Sequence, residues 1–317
     1  MILKTQIPLK KQQLYQIDYQ SDLLLLGSCF SENIGNKFDY YKFKKNINPF
    51  GILFHPKAIE RFITNTINQK KYTEDDLFFH NERWHCFDAH SSLSSSDKND
   101  LLNNLNNAVN STFKQLHSTT HIIITLGTSW VYRKITSDKI VANCHKIPQK
   151  KFLKELLSID EISESLDAVI TLIKSINPKA KFIFTVSPVR HLKDGFIENT
   201  QSKSHLIAGI HQLLDCAQSD SFYFPSYEIM MDELRDYRFY KEDMIHPNQT
   251  AVNYIWEKFN DVWFSENTIE TMNKVAVVQK GLQHRSFNPT SEAHLKFLKN
   301  LQKKVNDLKE KHPFIQF

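Results

Sequence analysis

Two short stretches at opposite ends of the chain hold residue types that can carry nucleophilic chemistry. Gly27-Ser28-Cys29-Phe30-Ser31 sets a hydroxyl and a thiol side by side after an apolar run, Leu23 to Leu26, and ahead of Glu32 and Asn33. A side chain there stands at the start of a helix, where unpaired backbone N–H groups and the positive end of the helix dipole favour negative charge. Cys29 is therefore expected to be more acidic than a free cysteine. The structural alternative is that Ser28 or Ser31 caps the helix and Cys29 packs as a small apolar residue. The second stretch is Asp243-Met244-Ile245-His246-Pro247-Asn248, just before an amphipathic run from Thr250. A spacing of three lets a carboxylate and an imidazole hang from one turn, so that the acid orients the base. Taken alone each stretch has an ordinary reading as a capped turn; together they suggest a nucleophile with its base.

The elements that must bring these ends together follow from hydrophobic patterning. Leu23 to Leu26, His121 to Leu126, Lys181 to Val189 and Phe222 to Tyr227 read as short strands, several of them apolar on both sides. Between and after them lie helical patterns at 55–68, 101–116, 162–176, 202–217 and 250–264, and 30–39 follows the first strand as another. Such alternation predicts an α/β fold with a mainly parallel sheet covered on both faces. Ligands then sit at the carboxyl ends of the strands, near Ser28, Gly127 and Ser187. Lys71 to Leu93 breaks the pattern and reads as an inserted β-hairpin, with a period-two stretch from Trp84 to His90. Ser91 to Asn110 is Ser- and Asn-rich enough to be partly mobile, Val275 to Pro289 reads as irregular, and the chain ends in a basic amphipathic helix carrying Leu298, Leu301, Val305 and Leu308.

Composition narrows the function. The chain has 317 residues, 41% of them hydrophobic, enough for a substantial buried core. Its net charge of +5 is spread along the length and gives no reason to expect a nucleic-acid partner. The N-terminus is charged from its fourth residue and no run approaches membrane-spanning length, so a soluble, cytoplasmic protein without a membrane partner is expected. Cys29, Cys86, Cys144 and Cys216 are widely spaced and read as reduced thiols. Seven glycines is few for this length, so each asks for a reason. P-loop, GxGxxG and GxSxG motifs do not occur, and no cofactor is expected.

The two chemical stretches together resemble the layout of the SGNH, or GDSL-like, hydrolase superfamily, and the surrounding text resembles the GSCFA family within it. The resemblance runs through LGSCFSENIG at 26–35, NPFGILF at 48–54, ITLGTSWVY at 124–132, VANCHKIP at 141–148, TVSPVRHLKDG at 185–195, SKSHL at 202–206, YFPSYEIMMDELRDYRFY at 223–240 and DMIHPN at 243–248. It implies a three-layer, flavodoxin-like α/β/α sandwich, with a catalytic domain over residues 1–264 and a C-terminal helical extension over 265–317. Laid on the superfamily's GDS pattern, Cys29 takes the place of the nucleophilic Ser and Ser28 that of the Asp, with Ser28 a rival nucleophile. His246 would be the base and Asp243 its orienting acid. The resemblance implies an oxyanion hole from the nucleophile's own N–H, the N–H of Gly51 and a side-chain amide. That amide's place falls on Ser129, which has none, so Ser129's hydroxyl or Asn143 is the substitute.

What this implies is hydrolysis of an acyl ester on a small molecule or glycan, acyl transfer on the same site, or a non-catalytic binding domain with the same fold. Arg190, His191, His90 and His145 are further candidates to line the pocket. Cys86, Asp88 and His90 alternate along one stretch and could hold Zn²⁺, but strand-adjacent ligands seldom close a tetrahedron, and a polar cluster without metal is expected.

Overall fold

The computed structural model describes residues 5–216 and 220–317; Ala217, where the fifth helical pattern ends, and the first four residues lie outside them. In chain order the elements are β1 (Asp22–Gly27), α1 (Cys29–Tyr40), β2 (Lys44–Ile47), α2 (Pro56–Ile67), β3 (Leu77–His80), β4 (Arg83–Cys86) and α3 (Lys98–Leu116). Then come β5 (His121–Leu126), β6 (Trp130–Lys134), β7 (Lys139–Val141), β8 (Phe152–Leu156), α4 (Ile159–Ile176), β9 (Lys181–Val186) and α5 (Phe196–Cys216). The chain closes with β10 (Ser221–Tyr223), the short α6 (Ser226–Glu228) running into a π-turn at Ile229–Glu233, α7 (Gln249–Trp263), α8 (Glu266–Gln283) and α9 (Glu292–Lys311).

The central sheet is parallel throughout, in the order β10-β9-β5-β1-β2. Alternate residues of its strands feed two cores. Leu24, Leu26, Ile122, Ile124, Phe182 and Phe184 face α2 to α5 on one side. Leu23, Leu25, Ile123 and Ile183 face α1, α7 and the C-terminal helices on the other. Period-two alternation in strands buried on both faces explains why they read as continuous apolar runs. The chain crosses over between β1 and β5, which leave in opposite directions across the sheet, so the crevice at their carboxyl ends is where a ligand fits.

Helix starts are set by short polar side chains. Ser158 and Glu161 form a capping box on α4, and Asn248 accepts from the Ala251 N–H at the start of α7. On α2, Pro56 takes the first helical position and the His55 ring caps the Ala58 N–H. Among the described residues no helix is long and apolar enough to cross a membrane.

Several expectations need correction. Val275 to Pro289 is helical as far as Gln283: Met272, Val275 and Val278 are buried at helical steps, and exposed Asn273, Lys274 and Val277 between them obscure the pattern. The Ser- and Asn-rich stretch is folded, with a single 3₁₀ turn at Ser91–Leu93 and α3 starting at Lys98 under an Asp97 cap. The strand expected to reach Val189 stops at Val186, before Pro188, and the one expected to reach Tyr227 stops at Tyr223, ahead of Pro225. The inserted hairpin is β3-β4, but its second strand ends at Cys86. The edge strand β2, polar and half-buried, and the antiparallel sheet β7-β6-β8 inserted after β5 were not expected.

Candidate functional site

The turn from β1 into α1 is possible only with glycine at its head. Gly27 has φ +132°, and a Cβ there would lie 2.0 Å from the Thr125 carbonyl oxygen of β5. The Ser28 N–H then donates to Thr125 O at 3.0 Å, and the Ser28 hydroxyl, 1% exposed, accepts the Phe30 N–H at 3.3 Å as the helix cap. Cys29 is the first residue of α1 and is partly exposed. Its thiol pKa is raised, not lowered: burial and the Glu32 carboxylate outweigh its own backbone N–H and the Lys203 and Lys241 ammonium groups. The helix-start argument supplied only the favourable half of that balance.

The Asp243–His246 turn is built as its spacing suggested. One Asp243 carboxylate oxygen accepts the Ile245 and His246 N–H groups at 2.9 and 3.0 Å, and the other lies 2.7 Å from His246 Nδ1. These N–H groups, with the imidazole, hold the Asp243 carboxyl far below the usual carboxylate range. The turn is pinned at its base by Lys241 N–H to His246 O at 2.8 Å and by Asn248, whose amide donates to Arg238 O at 2.7 Å. Lys241, on this turn, is one of the charges that oppose the rise of the Cys29 thiol pKa.

The loop from Asn48 to Phe54 ties the strand ends together. Leu53 N–H donates to Gly27 O at 3.1 Å, and Gly127 N–H to Phe54 O at 2.7 Å. Gly51 has φ +72° and packs on His90, but its N–H donates to Asn48 O at 2.7 Å and so is engaged in its own turn. Ser129, fully buried, donates its hydroxyl to Ser202 O at 3.1 Å. Asn143 sits in the loop after β7, its side-chain oxygen accepting the His145 N–H at 2.8 Å. The Gly51 N–H and the Ser129 hydroxyl are thus engaged with other acceptors. Asn48 was missed: its side-chain oxygen accepts the Gly27 N–H at 2.9 Å, and its Nδ2 is buried with no hydrogen-bond partner. The asparagine at the head of NPFG, directly after a strand-like segment, was the available signal.

His145 and His191 line a cavity of about 340 Å³ beneath the β6-β7-β8 insertion, with Thr128, Trp130, Asn143 and Lys193. Burial holds His145 down at about 4 and His191 at about 3, so both rings are neutral. His145 Nε2 lies 2.8 Å from Cys86 O, and its Nδ1 and His191 Nε2 are buried and unpartnered. Arg190 is outside this cavity but against the Asp243–His246 turn: its N–H donates to Ile245 O at 3.2 Å, and its guanidinium lies over the Tyr240 ring at 4.2 Å and close to Tyr237. His90 caps its own turn through Ser92, its pKa lowered by burial. Asp88 pairs with Arg61 of α2 at 3.2 Å, and β4 ends at Cys86, so the strand on which Cys86, Asp88 and His90 were to alternate does not reach the last two.

Lys203 was also missed. Its side chain, 1% exposed, comes inward from α5 and donates to Gly127 O and Ser187 O, both at 2.7 Å. Its position in the buried stripe Asn199, Ser202, Lys203, Leu206, Ile210 was legible as helical spacing with a lysine where an apolar residue is expected.

Comparison with known proteins gives three findings. A crystal structure described as a carbohydrate esterase family 3 from Talaromyces cellulolyticus aligns at 9% identity and TM-score 0.35, covering 80% of this chain and 98% of that one. No curated protein matches. The profile of the GSCFA family matches residues 22–259, and that of the GSCFA domain protein, C-terminal domain, matches residues 275–317. With three quarters of its length under the first profile, the chain belongs to the GSCFA family.

Proposed function

We propose that the protein hydrolyses an acyl ester of a small molecule or glycan, with Cys29 as nucleophile, His246 as base and Asp243 as the acid that orients it. The observation that carries this reading is the Asp243–His246 pair. Nδ1 is held at 2.7 Å by a carboxylate that two backbone N–H groups fix in place, which leaves Nε2 free for proton transfer. Cys29 supports it by standing partly exposed at a helix start, while the Ser28 hydroxyl is buried in a cap.

In this mechanism His246 Nε2 takes the thiol proton as Sγ bonds to the acyl carbon, and the carbonyl electron pair moves onto oxygen. Collapse expels the alcohol oxygen, which takes the proton back from His246 and leaves a thioester on Cys29. Water, deprotonated by His246, then attacks the thioester and releases the acid and the thiol. Because burial keeps Cys29 a thiol at rest, the base is needed for attack as well as for release. The Cys29 N–H and the Asn48 Nδ2 are the donors for the oxyanion, the latter being a buried amide with a hydrogen-bonding group to spare beside Gly27. The cavity next to His191 takes the larger part of the substrate.

The test is intact-protein mass after brief exposure to p-nitrophenyl acetate, followed by peptide mapping, on wild type, Cys29→Ala, Ser28→Ala and His246→Ala. An acetyl adduct on Cys29 that needs His246 and survives Ser28→Ala is expected. An adduct on Ser28 would move the nucleophile by one residue. Four folded proteins without a specific adduct would refute the enzymatic reading.

A further inference from the structure

The Asp243–His246 turn contains a backbone conformation that its own residue does not favour. Met244 sits at φ +55°, in the left-handed region, where a residue with a Cβ is strained and where Gly, Asn or Asp is the usual occupant. Its side chain is 45% exposed, so its own packing does little to offset that strain. The conformation matters because Met244 lies between the Asp243 carboxylate and the Ile245 and His246 N–H groups, both of which donate to one oxygen of that carboxylate. A return of Met244 to negative φ would turn these N–H groups away from Asp243 and carry the imidazole with them. Local bonds close the turn on one side: Met244 N–H donates to Lys241 O at 2.9 Å, and Lys241 N–H to His246 O at 2.8 Å.

Arg190, in the loop after β9, closes the other side. It meets the two residues between Asp243 and His246 at their carbonyls, its N–H donating to Ile245 O at 3.2 Å and its Nη1 to Met244 O at 3.5 Å. The second of these bonds is long, but the group that makes it is held in place. The guanidinium lies over the Tyr240 ring at 4.2 Å with the Tyr237 ring at 5.3 Å, and Tyr240 is itself bridged to Pro247, the residue after His246. The platform under Arg190 is therefore tied to the same turn that Arg190 grips. The carboxylate in this groove, Asp236, is taken by Arg238 at 2.9 Å.

We propose that Arg190 is a positioning residue for His246: stacked on Tyr240, it clamps the turn at Met244 and Ile245 and holds Met244 in the left-handed conformation that aims the Ile245 and His246 N–H groups at Asp243. This rests on the reading of His246 as the base. Arg190 takes no proton and touches no reacting atom; it acts through the orientation of the imidazole. The clamp also joins the loop after β9 to the turn ahead of α7, so two segments far apart in the chain are fixed to one another beside the base.

The test is a double-mutant cycle of Arg190→Ala and Met244→Gly on the full chain, read by single-turnover acetylation of Cys29 with p-nitrophenyl acetate and by NMR hydrogen exchange at the Ile245 and His246 N–H groups. Arg190→Ala is expected to slow acetylation and speed the two exchanges by about tenfold, the size of the left-handed penalty that the clamp offsets, with the half-saturating ester concentration unchanged. Glycine takes positive φ freely, so in the Met244→Gly background the same change is expected to cost about twofold or less. An equal loss in both backgrounds overturns the proposal. So does a raised half-saturating concentration at an unchanged rate, which would mean that Arg190 touches the ester. Should Arg190→Ala fail to fold, Arg190→Met, which keeps the length of the side chain over Tyr240, is read in the same way. Exchange keeps the two readings apart, because it needs no ester. Faster exchange in Arg190→Ala without a Cys29 adduct in wild type leaves the clamp and removes the nucleophile, whereas an adduct that needs His246 with unmoved exchange removes Arg190's part alone.

Discussion

Lys203 makes a prediction about stability that is independent of any substrate. Burial lowers its pKa from the ordinary 10.5 to about 7. In the unfolded chain it keeps its proton through the whole interval between those values, while the native protein has lost it. Where the unfolded state binds more protons, stability rises with pH, so the native state gains as pH climbs from about 7 toward 10.5. The full interval corresponds to about 5 kcal/mol. Its upper part is opposed by the thiols, since Cys29, Cys86 and Cys144 are all pushed up and stay protonated in the native state where the unfolded chain ionises. The buried histidines His55, His121, His145 and His191, lowered to about 3 or 4, give most of their contribution below pH 7. The clean window is therefore from about pH 7 to about pH 8.5, where Lys203 supplies about 2 kcal/mol. Urea unfolding at several pH values across that window should show this rise in wild type and lose it in Lys203→Met. A wild-type stability flat with pH, or a rise of the same size in the variant, would refute the argument that this lysine is desolvated.

Further expectations follow from single contacts. Gly27→Ala puts a methyl 2.0 Å from the Thr125 carbonyl at φ +132°, and thermal melting should show a loss of about 3 kcal/mol or more, or no folded protein. Asp243→Asn should lower acylation by about 10²- to 10⁴-fold with little change in Tm, because the carboxylate orients His246 on an exposed turn; single-turnover kinetics and a melt separate the two effects. Timed native alkylation should label exposed Cys216 first and buried Cys86, pushed up to about 12, last. Gly281→Leu drives a side chain into Leu301, whose Cδ1 lies 2.5 Å from the position of the new Cβ. Hydrogen exchange should then rise along α9 while acetylation of Cys29 is unchanged.

The layers of the fold were legible because the inner strands are apolar on both faces and the main helices carry stripes at steps of three and four. Legibility failed where a segment is held by partners instead of by its own pattern. Lys44–Ile47 is a strand because it pairs with β1 in register, Asp22 with Lys44 through Leu25 with Ile47, and its half-buried polar residues advertise nothing. The second half of α8 is likewise helical through contacts with its neighbours: Val275 and Val278 are buried, while Val277 and Leu282 stay exposed and blur the periodicity.

For the site, local spacing was a good guide and long-range donors were not. The Asp243–His246 bond and the Ser28 cap lie within three residues of their partners, so the sequence carries their geometry almost directly. The donors assigned to Gly51 and Ser129 depended on where each N–H or hydroxyl would point after folding. Both are taken by closer acceptors, Asn48 O within the same turn and Ser202 O on α5. The thiol pKa failed for a related reason: a helix start lies within three residues and can be read, but the burial that outweighs it is the sum of everything packed around Cys29.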